Sequence, residues 1–294
     1  MTTRVVAALT SFNRRDKTLA ALAALARAAE VAQVQLSAVL VDDASSDGTV
    51  DAVRRAHPWV QVLIGPGDLY WNRGMHRALA LAQQQPAEQV LWLNDDTLLH
   101  PHGLAHLLAQ AQAVAQRVGR PTILVGSTGD AQGQVTYGGA VAAGRWRRFS
   151  YRRVWSADQA LPCQVMNGNC VLVPMAVARD LANLDERFEH AMGDTDYALR
   201  ARAAGHPLWV ASGLVATCEL NPVAGSFNDR SLGLRRRWRA ILQRKGLPWR
   251  SWLHFTRRHG GWLWPMYFAW PYGRLVVSAL RCALSSKTAP PARR

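Results

Sequence analysis

The sequence predicts an α/β fold, a mostly parallel sheet flanked by helices. Three observations carry it. Strand-like and helix-like segments alternate four times between residues 4 and 118, the signature of βαβ units. The strand-like segments are short apolar runs without polar alternation, as strands buried on both faces require. Two of these runs stop at paired carboxylates, Asp42-Asp43 and Asp95-Asp96. That sets acidic groups at the carboxyl edge of the sheet, where open α/β sheets bind their ligands.

Residues 4–9 form the first expected strand, followed by the polar turn Thr10-Ser11-Phe12-Asn13. Ala and Leu dominate 16–29, which predicts a helix. Residues 36–41 are the second strand, and Asp47 or Ser46 is placed to cap a helix over 49–56. The third strand is 60–64. Gly65-Pro66-Gly67-Asp68 holds several breakers and reads as a turn. Then come a helix over 72–85, a strand over 90–93, and a helix over 98–118 with Pro101 near its first turn. Beyond Pro121 the texture changes. Residues 123–127, 135–137 and 171–173 are short β candidates among many glycines, 181–205 contains a helix, and 208–211 is a further strand. The expected boundary lies near Asn221, giving a domain over 1–220 and a tail over 221–294.

The chain has 294 residues and 49% hydrophobic content, ample for one large core plus an appendage. Its net charge of +15 is unevenly placed. From Ser231 onward there are 14 Lys or Arg and no acidic residue, so the rest of the chain is nearly neutral. Cys163, Cys170, Cys218 and Cys282 form no CxxC pair, which favours reduced thiols in a cytosolic setting. The first residues run straight into a strand pattern, against a signal peptide. No apolar run reaches the length of a membrane span. His100, His102 and His106 lack the partners of a zinc motif and are expected to be exposed.

Hard cations such as Mg2+ or Mn2+ take carboxylate oxygens and commonly arrive with a substrate diphosphate. Leu93-Asn94-Asp95-Asp96 is therefore a candidate metal site for a nucleotide-linked substrate, against the alternative of a simple helix cap. A carboxylate at the end of the second strand, Asp42-Asp43, is placed to accept a hydrogen bond from a base imide or a ribose hydroxyl.

Ala8-Leu9-Thr10-Ser11-Phe12-Asn13-Arg14, Val41-Asp42-Asp43-Ala44-Ser45-Ser46-Asp47-Gly48-Thr49, Leu93-Asn94-Asp95-Asp96 and Gly193-Asp194-Thr195-Asp196 occur in this order over roughly residues 4–220. The set resembles family 2 glycosyltransferases. Gly67-Asp68-Leu69-Tyr70-Trp71-Asn72-Arg73-Gly74-Met75 looks like the rhamnosyltransferase-type branch, which builds bacterial surface polysaccharides. The resemblance implies a GT-A fold, a nucleotide-sugar donor, linked to dTDP or UDP, and an inverting mechanism with Mn2+ or Mg2+. It places Thr10, Phe12 and Asp43 at the base and Asp95 in the DXD-like stretch on the donor, while Arg73, read from its own position, is placed to reach the diphosphate. Asp96 takes the metal, and Asn94 stands where a strict DXD motif has Asp. Asp194 falls where the catalytic base is expected, with Gly193 where Glu is frequent. An inverting transfer needs such a base on the acceptor hydroxyl, opposite the leaving diphosphate. A helix N-terminus favours its ionised form. Asp196 is the second choice, or an acceptor contact. Trp71 either stacks on a sugar or belongs to the core, and Asn167 either borders the acceptor pocket or makes a tight turn. The family's late histidine, an extra metal ligand, has no counterpart in Thr217-Cys218-Glu219-Leu220-Asn221.

The tail holds six of the 12 tryptophans. Trp favours the membrane interface, and clustered Arg/Lys favour anionic lipid. A basic amphipathic helix over 234–244 and an interfacial segment over 260–272 are expected, as is a contribution from the basic aromatic stretch 145–153. Peripheral attachment to the inner face of a bacterial plasma membrane would meet a saccharide or polyprenyl-diphosphate-linked acceptor. Packing on the protein itself is the competing reading. No RNP-like or GxxG motif supports nucleic acid. The rival functions are a sugar-phosphate nucleotidyltransferase, which would want a Gly-rich phosphate loop after the first strand, and a non-catalytic membrane-associated scaffold.

Overall fold

A computed structural model describes residues 2–144 and 147–287, with 279–287 described by backbone alone. Arg145 and Trp146 of the basic aromatic stretch, the side chain of Cys282 and the last seven residues of the tail lie outside the described residues. The chain divides into two compact units, Met1–Leu220 and Asn221–Arg294.

The first unit is built on an eight-stranded sheet. Its strands are β1 (Arg4–Ser11), β2 (Gln35–Asp42), β3 (Val60–Ile64), β4 (Gln89–Leu93), β5 (Ile123–Val125), β6 (Leu161–Cys163), β7 (Cys170–Pro174) and β8 (Leu208–Val210). They lie in the order β6-β8-β5-β7-β4-β1-β2-β3. The block β4-β1-β2-β3 is parallel throughout, and β8 runs parallel to β5. β7 enters antiparallel between β4 and β5. This positions the site: Cys170 pairs with Leu93, so the residues just before β7 meet the residues just after β4.

Helices cover both faces. α1 (Arg15–Val31) and α4 (Gly103–Val118) pack Leu22, Leu25, Leu104 and Leu107 against Val5, Ala7 and Leu9. α3 (Tyr70–Ala82) and α6 (Gly193–Ala203) pack Met75, Ala78, Leu79, Tyr197 and Ala201 against Val6, Ala8 and Trp92 on the other face. Every second residue of β1 thus serves one layer, the period of a strand. The short helices α2 (Thr49–Ala56) and α5 (Met175–Asp180) complete the layers. Asp47 accepts from the Thr49 N–H and hydroxyl ahead of α2, as a capping Asp does.

The helix expected from residue 98 starts instead at Gly103. Leu98–Leu99 is a short strand paired with Ala216–Thr217, and Pro101 follows before the helix can begin. His100 is only half-exposed, because Nδ1 meets the Leu214 carbonyl and Nε2 the Thr217 hydroxyl. His106 is exposed, with Nε2 at the Ser212 carbonyl. Cys163, Cys170 and Cys218 are free and buried.

The second unit contains α7 (Leu234–Leu242), α8 (Trp249–His259) and α9 (Trp264–Lys287), so the amphipathic helix expected over 234–244 ends two residues early. Ile241, Trp252, Phe255, Tyr267 and Leu275 form its small buried centre. Trp252 stacks on Phe255 with centroids 5.5 Å apart. Arg237 is buried and donates to the Phe227 carbonyl and the Ser278 hydroxyl. Trp238, Trp249, Trp262 and Trp270 are exposed, Trp262 to 85% and Trp270 to 66%. No described helix is long and apolar enough to cross a membrane.

Candidate active site

The carboxyl edge of β4 gathers most of the sequence-derived candidates. Asn94 follows β4, and its N–H donates to the Asn169 carbonyl across the antiparallel junction with β7. Its side chain accepts from the Trp71 indole N–H at 2.7 Å and donates to the Asn169 side chain at 2.8 Å. Trp71 therefore orders the site through a polar contact of its own. Asn94, the departure from a strict DXD pattern, is the hub: an Asp here could accept from Trp71 but not donate to Asn169. Asn169 in turn donates to the Cys218 sulfur at 3.4 Å.

Asp194 lies in the first turn of α6 and is half-buried. Its carboxylate accepts from the Gly168 N–H at 3.1 Å and the Thr195 N–H at 2.7 Å. Gly168 joins Asp194 to the Asn169–Asn94 junction, and a Cβ on Gly168 would sit 2.5 Å from the Trp71 ring. Trp92 of β4 meets Tyr197 of α6 edge-on at 4.9 Å, which locks the element carrying the acidic pair to the helix carrying Asp194. Burial pushes the Asp194 carboxyl above the usual range, against the hydrogen bonds from Thr195 and Gly168. Desolvation thus outweighs the expected stabilisation of the anion by the helix N-terminus. Gly193 has a local cause: a Cβ there would stand 1.6 Å from the side-chain oxygen of the buried Asn72. Asn72 itself donates to the Asp185 and Phe188 carbonyls at 2.8 Å.

Asp95 and Asp96 share a partner that sequence reasoning missed. Arg14 donates to Asp95 at 2.8 Å through Nη1 and to Asp96 at 2.7 Å through Nη2. Burial pushes the Asp95 carboxyl up to about 6, with Arg14 opposing the push and Asp96 adding to it. The other oxygen of Asp96 lies 3.8 Å from the Cys218 sulfur. Burial pushes that thiol up to about 11, so Cys218 is a neutral neighbour. Among the described residues no group of three or more His, Cys, Asp or Glu is placed to hold a metal ion. The acidic pair nevertheless draws a cation, as the guanidinium shows. Asp96 fits a hard divalent cation as one oxygen donor, with diphosphate and water completing the shell.

Several expected donor contacts have other partners. Asp43 is buried, and it accepts from the Gly67 N–H at 2.8 Å, the Leu69 N–H at 2.8 Å and the Tyr70 N–H at 3.2 Å. It clamps the 67–70 turn instead of presenting free oxygens. The Thr10 hydroxyl donates to the Val41 carbonyl at 3.0 Å beneath α3, so it is not turned to a base. Arg73 donates to the Glu186 carbonyl at 3.0 Å rather than standing free for a diphosphate. Asp196 is fully buried and paired with Arg200 at 2.8 Å, which removes it as an acceptor contact or base. Asn167 caps its own turn by accepting from the Asn169 N–H at 3.2 Å. Phe12 is 51% exposed beyond β1, free to lie against a planar ligand.

The sequence profile described as Glycosyl transferase family 2 matches residues 7–148. The match covers just under half of the chain and lies within the N-terminal unit. Members of that family are inverting GT-A enzymes that move a sugar from a nucleotide sugar. Solved structures share this GT-A-like fold. The mannosyltransferase PcManGT from Pyrobaculum calidifontis, in complex with GDP-Man and Mn2+, is 18% identical with a TM-score of 0.58, over 99% of this chain and 78% of its own. S. aureus TarS 1–349, in complex with UDP, is 15% identical with a TM-score of 0.53, over 87% and 70%. At such identity the likeness is one of fold. No match was found among curated protein sequences.

Proposed function

We propose that this chain is a family 2 glycosyltransferase that moves a hexose, in the manner of the rhamnosyltransferase-type branch, from a dTDP- or UDP-linked donor to a saccharide or polyprenyl-diphosphate-linked acceptor of bacterial surface polysaccharide synthesis. The observation that carries the reading is the continuous path Asp194–Gly168–Asn169–Asn94–Asp95–Asp96 along one sheet edge. It supplies a base and a cation-seeking pair on one rigid frame. Asp194 removes the proton of the acceptor hydroxyl as that oxygen attacks the anomeric carbon. Trp71, Asn94 and Asn169 fix the distance between the two groups. Phe12 meets the base of the donor. Asp43 and Thr10 act from beneath, by shaping the turn and the sheet edge against which the nucleotide lies. Asp96 would hold a divalent cation, which would offset the charge that builds on the departing diphosphate. Transfer is therefore lost in excess EDTA and restored by Mn2+ or Mg2+; full activity in EDTA removes Asp96 from that role.

The second unit is proposed to hold the enzyme on the inner face of the plasma membrane. Its support is the pairing of exposed Trp262 and Trp270 with a segment free of acidic residues. Sedimentation with vesicles containing phosphatidylglycerol should fall several-fold in Trp262→Ser/Trp270→Ser, with transfer to a water-soluble acceptor unchanged. Equal sedimentation of both proteins, or equal binding to neutral vesicles, overturns the attachment.

A further inference from the structure

The geometry points to Arg14 as a gate on the metal site: it holds Asp96 while no donor is present and releases it to a divalent cation when a nucleoside diphosphate arrives. This rests on Asp96 as the metal-holding carboxylate. Arg14 spans the acidic pair with one nitrogen on each carboxylate, at 2.8 and 2.7 Å. Such charge-assisted contacts are strong, and a guanidinium keeps its charge at any working pH. A divalent ion on Asp96 would face that charge at contact distance. Without a further anion, the two cations exclude one another.

The two carboxylates are unequal. The Asp95 side chain is 7% exposed and that of Asp96 is 21% exposed, so Asp96 is the partner that can be given up. Arg14 is itself 37% exposed along its side chain, while its backbone carbonyl is fixed by the Thr18 N–H at 2.9 Å and hydroxyl at 3.0 Å. The backbone stays and the long side chain is free to turn. The neighbouring Asn13 adopts φ +50 and ties this turn to Ser45 and Ser46, so Arg14 is presented at the sheet edge in advance of any ligand. A diphosphate at the same edge brings the negative charge that both cations need. The guanidinium, built to match phosphate oxygens, moves its second nitrogen from Asp96 to the diphosphate. Metal and donor then bind with positive coupling, and the coupling is reciprocal.

The test is Mn2+ titration of the full chain, read by electron paramagnetic resonance, alone and with saturating UDP, dTDP or GDP. The wild-type protein should bind Mn2+ about tenfold or more tightly with at least one nucleoside diphosphate than without. Arg14→Gln should bind Mn2+ alone more tightly than wild type does and lose most of the tightening by nucleotide. Arg14→Lys, which keeps the charge but cannot span both carboxylates, should fall between them; this arm serves if the glutamine variant fails to fold. Equal Mn2+ affinity with and without every nucleotide in the wild type overturns the gate while leaving Asp96 as a ligand. Unchanged Mn2+ affinity in both variants overturns it likewise. No Mn2+ binding in any arm removes Asp96 as the metal ligand, and the gate with it.

Discussion

Asp194→Asn lowers the rate of sugar transfer by about 10²–10⁴-fold while donor affinity stays close to wild type. The proposed base is a carboxylate at this edge whose environment suits proton removal. It is half-buried beside Gly168, and burial lifts it above the ordinary aspartate range. A raised carboxyl is a stronger base once ionised. Its sign on the pH profile follows: the reactive form is the anion, so kcat/KM rises with pH as Asp194 loses its proton, and the rising limb sits above the range of an exposed Asp. Asparagine removes that limb as well as the rate. The substitution keeps one oxygen to accept from Thr195, so a thermal melt separates lost chemistry from a lost helix start. A variant with near wild-type rate and an unaltered acid limb reassigns the base.

Asp43→Ala destabilises the protein by about 1–3 kcal/mol, the cost of leaving a buried donor such as the Leu69 N–H without its acceptor. Three backbone N–H groups, of Gly67, Leu69 and Tyr70, converge on this one carboxylate. They hold a turn in which Tyr70 adopts φ +57, a left-handed conformation that a residue with a Cβ disfavours. Releasing the turn also releases the start of α3, and Trp71 with it. Donor binding should therefore weaken together with stability, whereas a residue that merely touched a base would lose affinity alone. Asp43→Asn keeps one accepting oxygen and should cost less. An unfolding free energy for Asp43→Ala, from chemical denaturation, that falls by less than about 1 kcal/mol removes the clamp.

The sequence made the parallel half of the sheet legible because each apolar run is separated by a helix-forming segment, and chain direction follows from that alternation. β7 was visible as a strand but its direction was not, since Val171 to Val173 carries no polarity that distinguishes the two senses. Leu98 and Leu99 suit helix and strand alike, and pairing with Ala216–Thr217 decides for strand ahead of α4. The site was partly legible. Asp95, Asp96 and Asp194 stood out as carboxylates after a strand or before a helix. What their oxygens bond to was hidden, because it depends on tertiary neighbours. Asp95 meets Arg14 from 81 positions away, and Asp43 meets backbone groups that advertise nothing in their side chains. Asp194 and Asp196 look alike in sequence. Two residues along a helix turn one toward Gly168 and the other into a buried pair with Arg200. Arg14 had one available signal, a cation in the turn after β1, on the same sheet edge as two adjacent anions after β4.

The out-of-order insertion of β7 has a consequence during synthesis. β4 ends at Leu93 and its second partner strand begins at Cys170. At elongation rates of about 5–20 residues per second, roughly 4–15 seconds separate the emergence of the two. For that interval the apolar edge Val90-Leu91-Trp92-Leu93 has β1 on one side and nothing on the other, and an open apolar edge invites pairing with another chain. The nascent protein is therefore most prone to aggregation between these two strands, and a ribosome-stalled chain that ends before residue 170 is the species for which a cellular chaperone should compete.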